Sequence, residues 1–202
     1  MIRYFFFLSL FFFTHYSVQS QKKELFDLII TDENATPSLL PKKMIFTQKI
    51  FWGERGILRK TGIAPLNLKN REKELKLRKS FIQAHEILEY VTLSAMISNI
   101  IVGDKYYSGD DNLYKTFKTT GDIVNAGYFT GLTLSLFSPP PPVNKKTKGF
   151  GSKTHKFLSN IHLGGMIITN IVSDQNKKAH KAATYSSFAS YATAVLVFKF
   201  QI

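Results

Sequence analysis

Four stretches almost free of charge constrain this chain more than anything else in it: residues 87–102, broken only by Glu89, and residues 123–143, 157–173 and 182–198. Each is roughly 16 to 21 residues long, and at about 1.5 Å of rise per residue that is near the lower limit for crossing a hydrocarbon core of about 30 Å. A mean hydropathy of -0.07 over 202 residues does not separate a membrane protein from a globular one. The distribution of charge does. The expected fold is all-α, a membrane four-helix up-down bundle with an exported N-terminal arm; a soluble helical bundle with unusually apolar helices is the alternative.

The N-terminus reads as a secretory signal peptide over residues 1–20. Arg3 supplies a positive charge, residues 4–13 form a short Phe/Leu-rich run, and Val18-Gln19-Ser20 suits a cleavage site, so that the mature chain begins at Gln21. The sequence has no cysteine. Exported parts are therefore not stapled by disulfides, and thiolate metal sites, iron–sulfur clusters and covalently attached c-type haem are excluded.

Residues 21–79 form the arm. Pro37-Ser38-Leu39-Leu40-Pro41 has the composition of a turn, and residues 42–52 mix Ile45, Ile50, Phe51 and Trp52 with Lys42, Lys43 and Lys49. Such a segment either lies among lipid headgroups or packs as a small amphipathic helix on the rest of the protein. Residues 53–56 and 62–65 read as loop. Asn67 or Asn70 is a plausible N-cap, and the charged run 71–79 continues from it into the first apolar helix.

Residues 80–202 form the bundle. Residues 104–118 join helices one and two, with Tyr106, Tyr107 and Tyr114 suited to an interfacial belt. Pro139 to Pro142 end helix two, because proline offers no amide hydrogen to the ladder. A basic loop over residues 144–153 and a tight turn at 174–178 complete antiparallel connections. Ala182, Ser186 and Ser190, with Gly164 and Gly165, mark surfaces of close helix approach, and Asn99, Asn125, Asn160 and Asn170 require partners inside the bundle.

Every histidine of the mature chain stands inside or at the mouth of an apolar segment: His85, His155, His162 and His180. Ionisable rings at membrane depth are costly and usually face a cofactor, a partner or a cavity. Helices one and three run in the same direction, so His85, His155 and His162 gather toward one end (face A), with His155 and His162 on one side of their helix and about 10 Å apart. His180 belongs to the opposite end, face B. Two neutral imidazoles from facing helices can hold a b-type haem without a covalent link.

Three segments carry a family resemblance: Ala84-His85-Glu86-Ile87-Leu88, then residues 155–166 beginning His155-Lys156-Phe157 and including Ile161-His162-Leu163-Gly164-Gly165-Met166, and finally His180-Lys181-Ala182-Ala183-Thr184-Tyr185. Over about residues 80–200 the chain resembles the cytochrome b561-like four-helix membrane cytochromes. The resemblance implies electron transfer through haem b, with an electron donor and an electron acceptor as partners. It implies one haem held by His85 and either His162 or His155. His162 is favoured as the deeper ring, leaving His155 to contact a propionate. A second haem would need a partner for His180, and helix two begins Lys118-Thr119-Thr120-Gly121-Asp122 without a histidine. His155 and His180 also read simply as interfacial residues with wet tips.

A net charge of +13 sits mainly beside the apolar segments, which favours membrane lipid or a membrane protein partner over nucleic acid. Face A is the more basic, and the positive-inside rule would keep it cytoplasmic, whereas the signal peptide exports it; the leader outweighs a charge bias below twofold. His85, Glu86 and Glu89 suggest a zinc or iron site less strongly, since the paired Glu-x-x-His motifs of metal-carrying bundles are absent. No phosphate loop or activated serine supports a kinase or a hydrolase. The other class of function is a cofactor-free membrane scaffold or accessory subunit that engages a partner through its arm.

Overall fold

The computed structural model describes residues 38–143, 149–173 and 175–200. The expected leader and the beginning of the arm lie outside the described residues. Among these residues all regular structure is helical: α1 (Phe46–Trp52), α2 (Ile57–Lys60), α3 (Leu68–Tyr107), a single 3-10 turn (Asp111–Leu113), α4 (Tyr114–Phe137), α5 (Gly149–Val172) and α6 (Lys177–Phe200).

Helix α3 has 40 residues. At about 1.5 Å per residue it is about 60 Å long, twice a hydrocarbon core. Asn67 is its N-cap, its side-chain oxygen accepting from the Asn70 backbone N–H at 2.9 Å. The charged run 71–79 continues into the apolar stretch without a break, as its helix-favouring residues require.

The connection between the first two long helices is shorter than expected. α3 runs on to Tyr107 and α4 starts at Tyr114. Only residues 108–113 turn the chain, with Gly109 at φ 113°. Lysines such as Lys105 and Lys115 signal the edge of an apolar stretch, but they are good helix formers and do not end the helix.

Contacts show antiparallel neighbours throughout. Along α3 and α4, Asn99 donates to the Phe117 carbonyl at 2.9 Å, and His85 Nδ1 meets the Gly131 carbonyl at 2.9 Å. Along α5 and α6, His155 Nδ1 lies 3.1 Å from the Ala194 carbonyl and His180 Nδ1 lies 3.0 Å from the Thr169 carbonyl. Backbone contact also joins α3 to α6. Between α4 and α5 long side chains make the bridge: Tyr128 to His162, and Asn125 to Asn170. The four helices therefore form a ring in which α3 and α5 stand on one diagonal. The buried core is Met96, Val124, Tyr128, Met166, Tyr191 and Val195.

Close approach occurs at part of the expected set of small residues. Gly165 lies against Ser187, where a Cβ would clash with Ser187 Oγ, and one on Gly127 would stand 2.5 Å from Thr92 Oγ1. Ser190 is buried as expected, whereas Gly164 faces open space and Ala182 and Ser186 are exposed. The helix is rotated so that Ser187, not Ser186, joins Ser190 on the inner side. Asn160 likewise lies on the outer surface, while Asn99 is buried and Asn125 pairs with Asn170.

Polarity in this arrangement is partly inverted. Glu89, Thr92, Asn99, His162, Ser187 and Ser190 are buried, whereas Ile87, Phe157 and Ile171 are each 60% exposed or more. By length and composition one described helix is able to cross a membrane: α3, whose best 18-residue stretch has a mean hydropathy of 1.3 and is 22% buried.

The arm is held by the backbone at the end of α4. In a continuing helix the carbonyls of Leu136, Phe137 and Ser138 would accept from the amides of residues 140, 141 and 142, which are prolines and have none. Side chains replace them. Thr47 donates to the Leu136 carbonyl at 2.6 Å, the Trp52 indole to Phe137 at 3.0 Å and Gln48 to Ser138 at 3.1 Å. Farther along, Arg78 donates to the Pro139 carbonyl at 2.6 Å, and Arg71 to Pro140 at 2.7 Å and Pro141 at 2.8 Å. The amphipathic segment thus packs on the protein by its Thr47, Gln48 and Trp52 face. Glu74, with a side chain 4% exposed, pairs with Arg71 at 2.9 Å and also with Arg59, tying α2 to α3.

Glu74→Gln removes the one carboxylate among these guanidinium groups and is expected to destabilise the protein by about 3–5 kcal/mol, the cost of stranding one side of a buried ion pair; thermal unfolding in detergent micelles measures it. Gly165→Ala is expected to cost about 1–3 kcal/mol through overpacking, with part of the loss restored by adding Ser187→Gly.

Candidate functional site

The interior at the middle of the ring is a layer of polar-ended rings. Tyr128 on α4 brings its hydroxyl to 2.7 Å from His162 Nδ1 on α5. The His162 ring stands edge-to-face with Tyr128 and Tyr191, at centroid distances of 5.5 and 5.1 Å. Tyr191 on α6 donates to the Glu89 carbonyl on α3 at 3.3 Å. One layer therefore draws on all four helices. His162 and Glu89 are buried.

His85 and His155 stand above this layer, toward the arm. His85 is four residues, about one turn, before Glu89 on α3, and His155 is seven residues, about two turns, before His162 on α5. The two rings thus lie toward the same end of the diagonally opposed helices α3 and α5. In each, Nδ1 lies against a backbone carbonyl, His85 against Gly131 at 2.9 Å and His155 against Ala194 at 3.1 Å. A carbonyl only accepts, so Nδ1 carries the proton and Nε2 is the nitrogen fitted to bind a metal. For His162 the partner is a hydroxyl, which accepts or donates, and the tautomer is not fixed in this way.

His85 Nε2 lies 3.0 Å from Glu89 Oε1. With acceptors at both nitrogens the ring is arranged as the doubly protonated partner of a buried carboxylate. This contact shields Glu89 from the cost of standing alone in an apolar interior.

His180 is at the far end, as helix direction required. Its ring is flanked edge-on by Tyr107 at 6.4 Å and Phe117 at 6.2 Å, and its Nδ1 also meets a carbonyl, that of Thr169. Near it Asp104 pairs with Lys181 at 2.5 Å and accepts from the Tyr185 hydroxyl at 2.7 Å. These hydrogen bonds, that from Lys181 first, hold the Asp104 carboxyl below the usual carboxylate range.

Among the described residues no group of three or more His, Asp or Glu side chains is placed to hold a metal ion, and the His85, Glu86, Glu89 reading has no geometric support. Tyr128 and Tyr191 are the site residues that the sequence analysis missed. Each is a ring with a polar tip inside an uncharged stretch, and like the histidines such a ring needs a hydrogen-bond partner when buried. No protein-family model, no curated protein and no solved structure matches this chain.

Tyr128→Phe leaves His162 Nδ1 buried beside a ring edge and is expected to destabilise the protein by about 1–3 kcal/mol; Tyr191→Phe, which loses a longer bond, is expected to cost less, and thermal melts of the two variants give the order. At face B the folded Asp104 carboxyl binds protons more weakly than the unfolded one. Its contribution to stability is present at neutral pH and disappears as pH falls through the carboxylate range. The melting difference between the wild type and Asp104→Asn is therefore expected to close on acidification.

Proposed function

We propose that this protein is a membrane electron-transfer protein that holds one non-covalent b-type haem between α3 and α5. The observation that carries the reading is the pair His85 and His155: toward the same end of opposed helices, each with its Nδ1 proton engaged by a backbone carbonyl. That is the orientation of an imidazole that presents Nε2 to iron.

The donor set fits the group, and the carbonyl-held Nδ1 favours His155 over His162 as the partner of His85. His162 belongs to the deeper Tyr128–Tyr191 layer, where it closes the floor of the site. Haem, when bound, supplies a centre that takes up and releases one electron. The chain's own part is to orient the two rings through Gly131 and Ala194, and to seal the deeper interior with Tyr128, His162 and Tyr191. Glu89 is the competitor for His85 Nε2, so its contact and iron ligation are alternatives.

Membrane residence is part of the same proposal. It is supported by buried Glu89, Thr92, Asn99 and His162 behind exposed Ile87, Phe157 and Ile171, a distribution suited to lipid and costly in water. The crossing of α3 is supported by its apolar stretch. Crossing by α4, α5 and α6 rests on their pairing with it.

An absorption spectrum of the purified protein tests the function. A b-type band in the reduced-minus-oxidised difference is expected, lost in His85→Ala and in His155→Ala and retained in His180→Ala. A His162→Ala variant that loses the band while His155→Ala keeps it would transfer the ligand role to His162. A colourless wild type, purified after expression with haem supplied, would return the protein to the class of cofactor-free membrane scaffolds.

A further inference from the structure

The arm has two faces, and the contacts with α4 use only one. Thr47, Gln48 and Trp52 turn inward, while Phe46 is 76% exposed, Ile63 is 74% exposed and Ile57 is 47% exposed. A rigid surface carrying apolar side chains of this size is expected to be covered. Residues 38–70 also hold seven lysines and arginines against a single carboxylate, Glu54, and Lys42, Lys43 and Lys49 are exposed. Apolar side chains among lysines suit the boundary between acyl chains and anionic headgroups. The place in the fold agrees, since α1 is fastened where α4 ends at Phe137 and at the same end as His85 and His155.

We propose that the outward face of the arm, Phe46, Ile57 and Ile63 with Lys42, Lys43 and Lys49, rests in the headgroup layer of a leaflet containing anionic phospholipid. The inference depends on the membrane reading above and adds to it a lipid class and a surface. The arm is not a strand of chain seeking the bilayer. It is held at fixed height by its bonds to the α4 carbonyls, so lipid meets a preformed collar at the same end as the candidate haem site.

The absence of cysteine makes single labels direct. Phe46→Cys, Ile63→Cys and, inside the α3 apolar stretch, Ile97→Cys are each given a nitroxide. The full chain is then reconstituted in vesicles of phosphatidylcholine alone or with a minority of phosphatidylglycerol, and accessibility to oxygen and to a water-soluble nickel chelate is measured. Labels at Phe46 and Ile63 are expected at interfacial depth when phosphatidylglycerol is present, with an oxygen-to-nickel ratio severalfold above that of an aqueous label. Combined Lys42→Gln, Lys43→Gln and Lys49→Gln exchanges are expected to lower that ratio toward the value in phosphatidylcholine alone.

A lipid-exposed label at Ile97 with aqueous labels at Phe46 and Ile63 would overturn the collar and leave the membrane reading standing. Aqueous labels at all three positions would overturn both. Labels at Phe46 and Ile63 shielded from both reagents would assign the face to a protein partner or a second copy. Equal depth in the two vesicle types would overturn the anionic preference.

Discussion

The proline run after α4 creates a demand that the rest of the structure meets. Pro140, Pro141 and Pro142 take the amide donors from the last carbonyls of the helix, and an apolar segment offers no other donors nearby. Thr47, Gln48 and Trp52 from the arm, with Arg71 and Arg78 from α3, supply them over six consecutive carbonyls, Leu136 to Pro141. Those bonds fix the arm against α4, bring the charged start of α3 beside the proline turn, and bury Glu74 between Arg59 and Arg71. A run of prolines that serves only to stop a helix would need none of this.

Behind that clamp the interior is organised by polar side chains rather than by a large apolar core. Tyr128, His162, Tyr191 and Glu89 connect all four long helices at one level, and the pairs His85–Gly131 and His155–Ala194 lie above it, toward the arm. Tight contacts at Gly127 and Gly165 bring α4 to α3 and α5 to α6. The proposed haem site lies between the clamp and the tyrosine layer. The two rings proposed as iron ligands are thereby oriented by backbone atoms of α4 and α6, which their own helices do not control.

Much of the fold is legible from residue order. The four long helices follow the four uncharged stretches, Asn67 caps α3, and the prolines end α4. The helix ends are less legible, because Lys105 and Lys115 mark the edge of an apolar stretch without breaking a helix. Helix rotation is less legible still. Ala182, Ser186 and Ser190 share the spacing that small-residue contacts need, yet the residue against Gly165 is Ser187. A stripe read at four-residue spacing does not say which neighbour it will face, since that depends on the relative height of the partner helix.

The sequence by itself determined the helical class, the antiparallel order and the separation of His85, His155 and His162 from His180, because these follow from length, direction and the distance along a helix. Only the tertiary structure decided that His85 and His155, but not His162, hold Nδ1 against a backbone carbonyl, that Tyr128 and Tyr191 complete the layer below them, and that the arm is bonded to the end of α4. Those facts depend on the axial offset between helices far apart in the chain. That offset is set by hydrogen bonds such as Tyr191 to Glu89 and Arg71 to Pro140, whose partners are 102 and 69 residues apart.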